Sequence, residues 1–307
     1  MRVLVTGGAG FIGSHLIRAL LERGDAVTVL DNFDPAYDTA LKLANIEGLP
    51  ISLVDGDVRD RAAVEEALQG VDSVVHLAAK AGVRESLIHP TEYASVNVGG
   101  TVNLLEALRG RDRVPVVFAG SSSVYGERED GPFSESDSLG LPASPYAGTK
   151  RAAEQMCHNA HLGWGQAVTV LRFFTVYGPR QRPAMAISKF IRMALAGETI
   201  PLFGEGETQR DYTYVSDVVG AVLAAVDQPR GFGLFNVGGG RPVTLNALVK
   251  AIGEATGSTV NVEHLERQPG DVSLTWADAS AIREALGWEA RTGLVDGLQQ
   301  TVAAMLD

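Results

Sequence analysis

The chain has 307 residues, 45% of them hydrophobic and 21% charged, which excludes a disordered or low-complexity protein and suits two domains or one domain with an appended lobe. The formal net charge is −11 with no basic run, which argues against a nucleic-acid partner, and no apolar run reaches the roughly 18–20 residues that cross a bilayer. The one cysteine, Cys157, excludes an internal disulfide and a cysteine-based zinc site and suits a reducing compartment; with no leader pattern ahead of the first strand, a cytoplasmic protein is expected.

The first half alternates short apolar strands with amphipathic helices. Strands are expected at residues 3–6, 26–31, 51–54, 73–77, 114–118 and 168–172, and helices at 14–23, 97–108 and 145–161. Nearly continuous apolar strands separated by helices imply a parallel sheet covered on both faces, a doubly wound α/β domain. After Phe173 prolines and glycines cluster. Helices are then expected at 187–195, 215–226, 245–256, 279–286 and 295–305, with short strands at 235–237 and 260–263. This reads as a smaller α/β lobe. The division expected is residues 1–173 for the first domain and 174–307 for the second, sharing a cleft, with some segments of the second packing back on the first.

The first strand runs into Thr6-Gly7-Gly8-Ala9-Gly10-Phe11-Ile12-Gly13. Glycines at 7, 10 and 13 between a strand and a helix allow a tight turn, a close approach of backbone to a pyrophosphate, and close packing of helix on sheet. The helix start, with Phe11 and Ile12, offers unpaired N–H groups to the phosphates. Asp31 ends the second strand 18 residues after Gly13, where a carboxylate accepts from the adenosine ribose and repels a 2′-phosphate. NAD is therefore the expected cofactor. Asn32, Asp57 and Val58 fall toward the adenine end, and Leu77, Ala78, Ala79 and Lys80, with Asn97, toward the middle of the cofactor.

Tyr146 and Lys150 are four apart on an expected helix and share one face. An ammonium beside a tyrosine favours the tyrosinate and lowers its pKa, which suits a base that moves a hydroxyl proton while NAD takes a hydride from the same carbon. Ser121, Ser122 and Ser123 follow the fifth strand, at the carboxyl end of the sheet where ligands bind. The six histidines show no metal-ligand spacing, so no metal is expected.

These segments, Thr6–Gly13, Ser121–Gly126 and Tyr146-x-x-x-Lys150, resemble the extended short-chain dehydrogenase/reductase family that acts on nucleotide sugars, over essentially the whole chain. The resemblance implies a Rossmann-type fold with a C-terminal nucleotide-sugar lobe. It makes Tyr146 the base, has Lys150 lower its pKa and bind the nicotinamide ribose, and sets Ser121 at the sugar oxygen. The family's dehydratases and decarboxylases carry acids where this chain has Ser122 and Ser123. Their absence leaves 4-epimerisation through a transient 4-keto sugar. The stretch from Leu171 through Thr175 and Arg182 to Ala186 is similar to the family's UDP-glucuronate 4-epimerases, although Ala184 replaces a usual Asp; UDP-glucose and UDP-N-acetylglucosamine 4-epimerases are the alternative. Ala81-Gly82-Val83-Arg84 also resembles the glucuronate group. By the same resemblance Arg210 binds the diphosphate, Gln268 and Asp271 bind the uridine ribose, and Ser122 and Ser123 line the site; the hydroxyls of Ser121, Ser122 and Thr175 are expected to hold the sugar carboxylate by charge-assisted hydrogen bonds. A homodimer formed through the helices around 101–108 and 145–161 is implied as well.

Overall fold

The computed structural model describes residues 1–111, 114–266 and 271–306. The first half runs β1 (Arg2–Thr6), α1 (Phe11–Glu22), β2 (Ala26–Asp31), α2 (Thr39–Ile46), β3 (Ser52–Asp55), α3 (Arg61–Ala67), β4 (Ser73–His76), α4 (Val83–Ile88), α5 (Pro90–Tyr93), a π-helical turn (Ala94–Gly100), α6 (Thr101–Leu108), β5 (Val116–Ser121), a 3₁₀ turn (Ser122–Tyr125), α7 (Pro145–Trp164) and β6 (Val168–Phe173). The second half follows with β7 (Thr175–Tyr177), α8 (Ala186–Ala196), β8 (Ile200–Phe203), β9 (Gln209–Tyr214), α9 (Val215–Asp227), β10 (Phe232–Val237), β11 (Pro242–Thr244), α10 (Leu245–Thr256), β12 (Val262–Leu265), α11 (Ser280–Leu286) and α12 (Leu294–Leu306).

Seven parallel strands form the main sheet in the order β10-β6-β5-β4-β1-β2-β3. The strand order reverses between β1 and β4, so the crevice at their carboxyl ends is the ligand position of a doubly wound sheet. Strands β1, β4, β5 and β6 are buried on both faces, which is why they read as unbroken apolar runs. Leu16, Ile17 and Leu20 of α1 pack with Val218 and Val222 of α9 on one face. On the other face, Val64 of α3, Leu104 and Leu108 of α6, and Ala153 and Cys157 of α7 form a second core. The thiol of Cys157 is inside that core, as a small apolar side chain.

Two expectations are corrected. The strand expected at 235–237 in the second lobe is part of β10, the last strand of the main sheet, where it covers the open edge of β6. The helix expected at 97–108 begins inside the π-helical turn; Gly100 there lies so close to Val58 that a Cβ would stand 2.5 Å from a valine methyl, and the turn directs Asn97 inward, where it is buried.

The second lobe holds a three-stranded sheet, β11-β9-β7, and a pair, β12-β8, packed with α8, α10 and α12 around Ile191, Leu202, Leu248 and Leu298. Among the described residues no helix is long and apolar enough to cross a membrane.

Candidate active site

The glycine turn is built for a close approach. Gly7 has φ +70°, and a Cβ on it would lie 2.8 Å from the Ala78 nitrogen. A Cβ on Gly13 would collide with the Gly7 carbonyl. Gly10 caps α1 with no side-chain partner, so the N–H groups of Phe11 and Ile12 begin the helix with none of the usual side-chain capping. Asp31 is buried at the end of β2. Its oxygens accept from the N–H groups of Ala9 at 3.0 Å and Phe33 at 2.9 Å, and burial raises its pKa against those bonds. A carboxylate has about four lone-pair sites, so two remain for the hydroxyls of a ribose.

Around this carboxylate the structure adds residues that the sequence reading passed over. The Tyr37 hydroxyl is buried and meets no hydrogen-bond partner among the described residues, although Asp31 and Arg182 both act on it electrostatically. Lys42 lies 4.8 Å from the centre of the Tyr37 ring and donates to the Asp34 carbonyl. Lys80 pairs with Asp34 at 2.9 Å and Glu92 at 2.8 Å. Asn32 donates to Asp57, which Arg59 holds at both oxygens, and Val58 is buried beneath them. The carboxamide of Asn97 binds the Lys80 backbone at 2.7 and 3.0 Å. A cradle that only glycine fits, a carboxylate with spare acceptor sites and an orphaned phenol together suit a dinucleotide with a free ribose 2′-hydroxyl. Leu77, Ala78 and Ala79 contribute the half-buried backbone opposite Gly7.

Ser121 at the end of β5 faces Tyr146, and Lys150 follows one turn along α7. Ser144 caps α7 by accepting from Ala147 N–H at 3.2 Å, and Pro145 occupies the first helical position, which fixes the helix start just before Tyr146. The Ser121 side chain stands near enough to the Tyr146 phenol to lower its pKa, and its hydroxyl lies 2.8 Å from the Ser123 hydroxyl. Ser123 is therefore turned toward Ser121. Tyr93 meets Tyr146 edge to face at 6.3 Å.

The expected lowering of the tyrosine pKa by Lys150 is corrected. Burial raises the Tyr146 pKa; the Ser121 side chain and the Arg182 guanidinium pull it back down. The Lys150 ammonium instead donates to the Ala119 carbonyl at 2.9 Å, above the Phe118 ring, and burial pushes its own pKa down to about 8.

Two arginines of the second lobe, Arg182 and Arg210, and one of the first half, Arg84, lie where the halves meet. Arg182 crosses to the Ala81 carbonyl at 3.3 Å, and its charge acts on Tyr37, Tyr93, Tyr146 and Lys150. Arg84, on the first half, stacks 4.6 Å from the Phe203 ring centre and pairs with Asp271 at 3.2 Å, so these two expected substrate residues hold each other. Arg210 donates to the carbonyls of Gln209 and Ser273. Thr175 begins β7, opposite Tyr212 of β9, and Ser122 opens the 3₁₀ turn. Gln268 lies outside the described residues.

Behind the serine turn lies a buried ion pair. Arg172, in β6, makes two bonds to Glu154 of α7, at 2.5 and 2.9 Å, and donates to the Tyr125 hydroxyl at 2.9 Å; that hydroxyl donates to Asn236 of β10 at 2.7 Å. The network ties the serine turn, the helix carrying Tyr146 and the last two strands into one unit. A charge within an otherwise apolar strand was the sequence signal for it.

The family described as NAD dependent epimerase/dehydratase matches residues 3–238. A UDP-glucuronate 4-epimerase of Thermodesulfobacterium geofontis is 37% identical over 306 residues, covering 97% of this chain and 94% of the relative. The crystal structure of a UDP-glucuronic acid 4-epimerase from Bacillus cereus, in complex with UDP-glucuronic acid and NAD, superposes with a TM-score of 0.94 at 34% identity, covering 100% of this chain and 99% of that one. A UDP-glucose 4-epimerase of Thermotoga maritima with UDP-glucose gives a TM-score of 0.92, also at 34% identity, with the same coverage of both chains. On its glycine cradle, its Ser-Tyr-Lys set and these matches, the chain belongs to the NAD-dependent epimerase/dehydratase family.

Proposed function

We propose that the chain is a UDP-glucuronate 4-epimerase that interconverts UDP-glucuronate and UDP-galacturonate. The observation that carries this reading is the hydroxyl-only row Ser121-Ser122-Ser123 beside Tyr146, in a chain that matches glucuronate epimerases over nearly all its length. An acid in that row would serve elimination or decarboxylation.

NAD, when bound, supplies a reversible acceptor for the hydride of sugar carbon 4. Tyr146 takes the proton of the 4-hydroxyl and later returns it, with the Ser121 hydroxyl beside it to hydrogen-bond the same oxygen. Arg182 favours the ionised phenol. Lys150 places positive charge next to the ribose of the nicotinamide. The oxidised sugar is a β-keto acid, which loses CO2 when its carboxylate bond aligns with the ketone. Ser122 and Thr175 hold the carboxylate out of that alignment by charge-assisted hydrogen bonds. Arg210 takes the diphosphate, with a planar fork suited to its oxygens, and Asp271 and Gln268 take the uridine ribose. The same reading assigns cofactor binding to residues 1–173 and sugar binding to 174–307, and takes the enzyme as a cytoplasmic homodimer paired through α6 and α7.

The test is incubation of the purified protein with UDP-glucuronate without added NAD, with the product identified by NMR. UDP-galacturonate without CO2 is the expected result. Turnover of UDP-glucose with none of UDP-glucuronate moves the chain to the neutral-sugar epimerases; decarboxylation overturns the assignment of Ser122 and Thr175.

A further inference from the structure

His76 belongs to none of the motifs above. It ends β4, buried in the middle of the sheet between β1 and β5, beneath the crevice. Both ring nitrogens are engaged: Nδ1 lies 2.7 Å from the Thr6 hydroxyl and Nε2 3.1 Å from the Thr101 hydroxyl. The neighbours set the direction of these bonds. The Thr101 hydroxyl donates its one hydrogen to the Asn97 carbonyl at 2.6 Å, so toward His76 it accepts, and Nε2 carries the proton. The Thr6 hydroxyl accepts from the Ala78 N–H at 3.2 Å and gives its hydrogen to a bare Nδ1. Every group in the line is satisfied by a neutral imidazole protonated on Nε2. An imidazolium would leave the Thr6 hydrogen without an acceptor. Burial and the nearby Lys150 charge act in the same sense, pushing the imidazole pKa down to about 3.

The ends of the line give it a purpose. Thr6 precedes Gly7 and holds Ala78, the backbone against which Gly7 packs. At the other end Asn97 holds Lys80 by both its N–H and its carbonyl and also donates to the Thr149 hydroxyl at 3.0 Å. Thr149 in turn donates to the Tyr146 carbonyl at 2.9 Å. One directed run of hydrogen bonds therefore joins the cofactor cradle to the first turn of α7.

We propose that His76 is a positioning residue: as the Nε2–H tautomer it sets the spacing between the cradle formed by Gly7 and Ala78–Lys80 and the helix that carries Tyr146 and Lys150. The role rests on the proposed function only for its kinetic readout.

The test uses the full-length enzyme. In wild-type protein labelled with ¹⁵N-histidine, the expected NMR signature is a neutral Nε2–H imidazole that does not titrate between about pH 5 and about pH 8, the range in which an ordinary histidine loses its charge. An Nδ1–H tautomer or an imidazolium overturns the proposal. His76→Leu removes both bonds; the expected result is NAD affinity about tenfold weaker and kcat about tenfold lower, with KM for the UDP-sugar within about twofold. His76→Asn, whose carbonyl replaces Nδ1, recovers NAD affinity more than kcat. A His76→Leu protein that melts lower yet keeps wild-type NAD affinity and kcat reduces the residue to a structural one and sinks the idea. If His76→Leu does not fold, Thr101→Val carries the same expectation in smaller degree, and unchanged values there count against it. If no UDP-sugar is turned over, the proposed reaction fails on its own, while the tautomer and the NAD affinity still decide this proposal.

Discussion

Asp31 in the first half and Asp211 in the second are both buried carboxylates that gather backbone N–H groups from glycine-bearing loops. Asp31 takes Ala9 and Phe33. Asp211 takes Gly239 at 2.7 Å and Gly240 and Ala277 at 2.9 Å. The difference is in reach and in what is left over. The partners of Asp31 lie 2 and 22 residues away in the chain, whereas those of Asp211 lie 28, 29 and 66 residues away. Asp31 keeps acceptor sites for a ligand. Asp211 is wholly enclosed next to Arg210, and burial holds its carboxyl up at about 6. The first half thus shapes its site with a local motif whose carboxylate also faces the ligand. The second half draws distant loops together with a carboxylate that faces only the protein.

Four substitutions break or sharpen that contrast. Tyr146→Phe has the largest expected effect: turnover falls by about 10²–10⁴-fold while melting temperature and NAD content stay at wild-type values, as read by the NMR assay, calorimetry and absorbance. Loss of bound NAD in that variant would show that the phenol supports the cradle as well as the chemistry. Next, Asp211→Ala orphans three buried N–H groups at about 1–3 kcal/mol apiece, with partial relaxation. A loss of about 3 kcal/mol in urea unfolding is expected, with a raised KM for the UDP-sugar. Asp31→Ala is expected to weaken NAD more and stability less; equal losses at the two positions would erase the contrast.

The smallest expected effect is at Lys150. Its folded-state pKa of about 8 lies below the ordinary 10.5, so between those values the unfolded chain binds more protons and stability rises with pH. At about 1.4 kcal/mol per unit the displacement is worth about 3 kcal/mol, and at pH 7 the folded protein carries that penalty. Lys150→Met removes it and orphans the Ala119 carbonyl, for a net gain of about 1–2 kcal/mol in cofactor-free protein. The pH dependence between 8 and 10.5 should flatten in urea melts of the variant. An unchanged slope would place it on another group. A first half that becomes more stable when Lys150 is lost stands opposite a second half that becomes less stable when Asp211 is lost.

The same contrast explains what was legible in the sequence. The glycine turn, Asp31 and the Tyr146/Lys150 pair are contiguous or periodic, and their spacing alone brings them together in a doubly wound sheet. Strand β2 and helix α10 were placed to the residue because their apolar pattern and caps are local. The sheet of β7, β9 and β11 was missed. Its strands are three to six residues long, and β9 reads Gln-Arg-Asp-Tyr-Thr-Tyr, with no clean alternation. The Arg84–Asp271 pair spans 187 residues, and the orphaned Tyr37 hydroxyl sits in a loop with no period at all. Arg172, a charge in an apolar strand, points to a buried partner, but nothing in its own strand singles out Glu154, on the helix before it.

Strand β10 has a consequence for the order in which the molecule is made. A chain leaving the ribosome completes β6 well before residues 232–237 exist, so a six-stranded sheet waits with a bare edge of backbone N–H and carbonyl groups. The whole sugar-facing loop region from β7 to α9 must be synthesised before that edge is closed. A polypeptide that stops after Phe173 carries every residue of the cofactor motifs and still presents an unpaired strand to its neighbours.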